Sequence, residues 1–91
     1  MLELITVQTV QNQFHLSKIL INPAHICIVQ DHYELNNLIK EGKTNLNLNE
    51  NVKFSEVIMS AASGFNTYIV VGSSDQILER LKRNKIQLLR D

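Results

Sequence analysis

"TYIVVGSSDQILERLKR", residues Thr67–Arg83, changes its hydrophobic period part-way along, and that change decides the fold. Thr67–Val71 has the strongest strand composition in the chain and is expected at the centre of a sheet. Gly72 ends the strand. Ser73 and Gln76 then stand at capping-box spacing, each side chain able to serve an exposed backbone amide of a first helical turn. Ile77, Leu78 and Leu81 recur at helical spacing and predict a buried stripe, with Glu79, Arg80, Lys82 and Arg83 toward water. Asp75 sits where the helix dipole is positive, and Arg80, Lys82 and Arg83 where it is negative. A strand thus feeds an amphipathic helix near the C-terminus.

Upstream the period is mostly two. "LELITVQTV" (Leu2–Val10) reads as a strand and Gln11–Gln13 as a polar turn. In "KILINPAHICIVQ" (Lys18–Gln30), Ile19–Ile21 is extended and Asn22-Pro23 breaks the run, because proline cannot donate to a ladder. A second strand follows over His25–Gln30. Ile26 and Ile28 share one of its faces, Cys27 and Val29 the other, which predicts a strand covered on both sides.

"DHYELNNLIKEG" (Asp31–Gly42) reads two ways. One is a short helix capped by Asp31 and Glu34, with a stripe of Leu35, Leu38 and Ile39 closed by Gly42. The other is a hairpin excursion. "TNLNLN" (Thr44–Asn49) predicts a strand with Leu46 and Leu48 on one face and Asn45, Asn47 and Asn49 on the other. In "ENVKFSEVIM", Val52 and Phe54 share a face while Val57 and Met59 fall out of phase, the mark of a bulge or an end near Ser55. Ser60–Asn66 is a loop, and Asn84-Lys85 breaks the helical stripe ahead of a last short strand. The expectation is α+β: a mostly antiparallel β-sheet of about five strands with one C-terminal amphipathic helix, in a single domain over residues 1–91.

Composition narrows the function. Nine Lys plus Arg balance nine Asp plus Glu, so the basic excess that neutralises nucleic-acid phosphates is missing and a nucleic-acid partner is not expected. Neutrality also leaves little repulsion against self-association. The single cysteine, Cys27, allows no internal disulfide. No stretch approaches the roughly 18 apolar residues of a membrane span. The start lacks a basic region followed by an apolar run, so a cytoplasmic location is expected.

His25 and Cys27 are two apart, a spacing that permits chelation, but no third or fourth ligand follows with a recognisable spacing. Cys27 reads instead as a small buried hydrophobe. Gly42, Gly64 and Gly72 form no phosphate-cradling loop, and Ser63 and Ser73 lack a hydrolase elbow. No catalytic residue, metal or cofactor is expected. Two surfaces remain. Asn45, Asn47 and Asn49 form either a solvated outer face or an uncharged polar interaction surface. A charge-free alternating segment left as an open edge is a pairing hazard, so this one is expected to be paired on both sides. Arg80, Lys82, Arg83 and Lys85 form either a solvated helix face or a basic patch for nucleic acid.

Asn22, Pro23 and Ile26, followed by Val70, Val71, Ser73 and Ile77, resemble a pattern in the small flagellar and swarming-motility proteins (the FlbD/SwrD family) and similar short bacterial proteins. These carry an Asn-Pro segment after a strand and end in a strand leading into an amphipathic helix. The chain departs from them in Asp31–Gly42 and in "SEVIMSAASGFN". The resemblance implies a binding or regulatory accessory protein and supplies no catalytic residues. The expected function is therefore a non-enzymatic interaction or regulatory accessory module that self-associates, with a protein partner or a second copy as its ligand. The alternatives are a nucleic-acid-associated regulator using the basic helix and a phage or mobile-element accessory protein that blocks a host factor.

Overall fold

The computed structural model describes residues 1–46, 48, 49 and 51–90, the stretch 85–90 by its backbone alone. The elements are β1 (Leu2–Val10), β2 (Gln13–Ile21), a 3₁₀ turn at Pro23–His25, β3 (Ile26–Asp31), α1 (Tyr33–Lys40), β4 (Phe54–Ala61), β5 (Gly64–Val71) and α2 (Ser74–Arg90). The strands form one sheet in the order β2-β1-β5-β4-β3, with every neighbouring pair antiparallel. This is the expected α+β fold with β5 at the centre, and it carries two helices.

The β5–α2 junction forms as its residues dictate. The Ser73 N–H donates to Gln76 Oε1 at 2.8 Å and the Gln76 N–H donates to Ser73 Oγ at 3.2 Å, the reciprocal pair of a capping box. The Ser74 N–H donates to Asp31 Oδ1 at 2.8 Å, which ties the start of α2 to the end of β3. Gly72 has φ +123°, a conformation that favours glycine, and a Cβ there would crowd the buried Ile77, 3.1 Å from its Cδ1.

Residues of opposite parity bury opposite faces. Leu2, Leu4, Val57, Met59 and Val70 form one core cluster with Ile21 and Ile77, and Ile26, Val29 and Leu81 pack against it. Val7 and Phe54 form the other with Leu35 and Ile39 of α1, flanked by Leu46, Leu48, Val52 and Ile69. The sheet is therefore covered by α2 on one side and by α1 with the 44–52 loop on the other. Two buried hydroxyls bond carbonyl oxygens of the central strand and its end, Thr6 to Ile69 at 2.9 Å and Ser55 to Gly72 at 2.6 Å.

Several expectations are corrected. β2 starts at Gln13 rather than Ile19; it is a full hairpin partner of β1 across a turn in which Gln11 and Asn12 both have positive φ, 52° and 64°. The phase change in β4 is no bulge, since β4 pairs with β5 without interruption from Phe54 to Ala61; both faces are apolar because both are covered. The bulge lies in β3, where the register shifts between Ile26 and Ile28. That shift turns Ile26 and Val29 to the same face and leaves Cys27 exposed. β3 is an edge strand with Ile28 also exposed, and is not covered on both sides.

Asp31–Gly42 is helical in its middle, but the cap is His32, whose Nδ1 accepts the Leu35 N–H at 3.0 Å. Asp31 is still paired in β3 and caps α2 instead. The helix closes with Gly42 at φ +70° and bonds from the Gly42 N–H to Ile39 O and the Lys43 N–H to Leu38 O, a Schellman ending. Ser60–Asn66 narrows to a tight hairpin turn between Ala61 and Gly64. Thr44–Asn49 is not a strand in its described residues. Asn84-Lys85 does not end α2, which runs on to Arg90 with no glycine or proline to stop it. Leu78 is exposed; the buried stripe is Ile77 with the partly buried Leu81.

Phe54 is wholly buried. Phe54→Ala is expected to lower unfolding stability by about 3–5 kcal/mol, read as a fall in the midpoint of urea denaturation.

Candidate interaction surface

Asparagine amides hold the margins of the sheet. Asn45 Nδ2 donates to Phe14 O at 2.9 Å and the Phe14 N–H donates to Asn45 Oδ1 at 2.8 Å. One side-chain amide thereby stands in for a neighbouring strand at one position of edge strand β2. Asn36 of α1 treats Phe54 in the same way, accepting its N–H at 2.6 Å and donating to its carbonyl at 3.3 Å. Asn49 Oδ1 accepts the Asn51 N–H at 2.9 Å in a local turn. Asparagine side chains compete in this way with backbone ladders, which is why the described residues of Thr44–Asn49 form no strand. Leu46 and Leu48 still turn inward, while Asn45 and Asn49 are exposed. Asn47 lies outside the described residues.

Beyond Phe14 the β2 edge is open among the described residues. In the β1–β2 register, Val10 faces Gln13 across the turn and Leu2 faces Ile21. Because Phe14 directs its N–H and C=O away from β1, alternation directs those of Leu16, Lys18 and Leu20 the same way. Among the described residues these outward groups have no partner. Their side chains lie with Ile5 on the face that α1 leaves uncovered at this margin. Leu20 is 59% exposed, Leu16 40% and Ile5 38%. Lys18 Nζ pairs with Glu3 Oε1 at 3.2 Å, so the apolar patch encloses one balanced ion pair.

Arg80, Lys82 and Arg83 of α2 do not gather into one patch. Arg80 donates to the backbone carbonyl of Glu3. Arg80 and Arg83 flank a groove of about 430 Å³ that Glu79 also lines. Lys82 lies about 200° around the helix from Arg80. The Lys85 side chain lies outside the described residues.

His32 carries the remaining polar cluster. Its Nε2 lies 3.5 Å from Glu56 Oε1, and Gln30 donates to Glu56 Oε2 at 2.8 Å. With Nδ1 bonded to Leu35 and Nε2 facing a carboxylate, the ring is committed to capping. Cys27 Sγ lies 3.8 Å from the His25 carbonyl oxygen. Among the described residues no three potential metal ligands come together, and no helix is long and apolar enough to cross a membrane.

No family model, curated protein or solved structure matches the chain. The sequence points to Asn45 but not to Leu16, Lys18 and Leu20, because their openness follows from β2 lying outermost.

Asn45→Ala removes both bonds to Phe14. It is expected to cost about 1 kcal/mol and to accelerate amide hydrogen exchange at Phe14, measured by NMR, with Asn36→Ala as the comparison that leaves Phe14 unchanged.

Proposed function

We propose that this chain is a non-enzymatic protein-interaction module that self-associates, acting as an accessory or regulatory component. The observation that carries this reading is the meeting of an open strand edge with an exposed apolar patch, at Leu16 and Leu20 beside Ile5. Open edges in native sheets are normally blunted or covered, because unpaired N–H and C=O groups recruit another strand. Here Asn45 covers only Phe14.

Formal neutrality supports the same reading, since two copies meet without net repulsion. A nucleic-acid role finds less support, with Arg80 engaged by Glu3 O and Lys82 about 200° around the helix from Arg80.

Sedimentation velocity over a range of concentrations tests the proposal. The wild-type chain is expected to shift from monomer toward dimer as concentration rises. Leu20→Glu places an unpaired charge in the patch and is expected to weaken association at least about tenfold, the equivalent of 1.4 kcal/mol, with the circular dichroism spectrum unchanged. Monomer at every concentration would refute the proposal.

A further inference from the structure

Resting on that reading, the geometry points to the partner and its register: a second copy of this chain, joined through β2 by antiparallel pairing about a two-fold axis at Lys18. The open part of the edge has natural limits. Asn45 occupies Phe14 on one side. On the other the strand ends at Ile21, and the Asn22 carbonyl accepts the His25 N–H at 3.1 Å. Three residues present outward groups between these limits, Leu16, Lys18 and Leu20.

Antiparallel pairing of β2 with itself sets residue i against residue j with i + j constant. Only a centre at Lys18 matches all three open residues with open residues of the other copy. A centre at Ser17 would need the groups of Phe14 that Asn45 holds. A centre at Ile19 would run Leu16 against Asn22, beyond the strand.

The side chains agree with this register. Leu16 of each copy lies opposite Leu20 of the other on the uncovered face, joining the two apolar patches. The two Lys18 ammonium groups meet at the axis, where like charges would oppose pairing, but each is already held by Glu3 at 3.2 Å. The seam therefore contains two positive and two negative charges. A lone lysine blunts an edge; a lysine balanced by Glu3 on the adjoining strand leaves the edge selective for a neutral match. A second copy supplies leucines at the required spacing, with Lys18 and Glu3 balanced in the same way. The two five-stranded sheets would become one continuous sheet.

Disulfide trapping in a Cys27→Ser background tests the register. Facing residues at the axis have Cα atoms about 5.5 Å apart, within disulfide range, so Lys18→Cys is expected to convert to a covalent dimer under mild oxidation. Leu16→Cys alone places its two sulfur-bearing residues about 14 Å apart along the seam and is expected to remain uncrosslinked. So is Leu20→Cys alone, whereas a mixture of the two is expected to crosslink. A dimer in sedimentation that traps at none of these positions would overturn the register while leaving self-association standing. A chain that stays monomeric and untrapped would overturn both.

Discussion

The two-sided burial of β4 and β5 is the constraint on which the rest of the structure depends. Val57 and Val70 are sealed on one face and Phe54 on the other. A chain of 91 residues has to find a cover for each face. It does so with one helix directly after the central strand and a second helix placed between β3 and β4. Both are fastened to strands by specific hydrogen bonds as well as by packing. Asp31 reaches from β3 to the first amide of α2, and Asn36 reaches from α1 to the backbone of Phe54. Burial supplies the driving force, and these polar contacts fix where each helix begins.

The cost of covering the middle is that the margins are left thin. β3 is kinked by the bulge at its start and by the 3₁₀ turn before it, which makes it a poor template for another strand. β2 is regular over nine residues, and among the described residues Asn45 covers it, at Phe14. The two edges of the sheet are thus unequal. Asn45 sets that inequality, while Leu46 and Leu48 beside it turn inward and Asn49 closes a local turn.

Features settled within a few residues were legible in the sequence. The Ser73–Gln76 box needs only a spacing of three, and it forms as read. The left-handed residue at Gly42 and the central position of Thr67–Val71 are of the same kind. Features set by distant partners were not. Val57 and Met59 look out of phase only if one face of β4 is assumed to be buried. The bulge near Cys27 is hidden because Ile26–Val29 is apolar throughout. Parity places Ile69 against α1, with Ile26 and Leu81 on the opposite face, which becomes evident only once the strand order is known. His32 replaces Asp31 as the α1 cap because pairing with Ser55 keeps Asp31 in the strand. Leu16 and Leu20 look like ordinary strand hydrophobes until the strand order puts them on the outside.

Amide hydrogen exchange in β2, followed by NMR as a function of protein concentration, tests the claim of an open edge most directly. The account predicts that Leu16, Lys18 and Leu20 exchange rapidly in dilute solution and become protected as concentration rises, while Ser17 and Ile19, bonded inward to β1, are protected throughout. Protection of all five at every concentration would contradict it, because the edge would then be covered from within the chain.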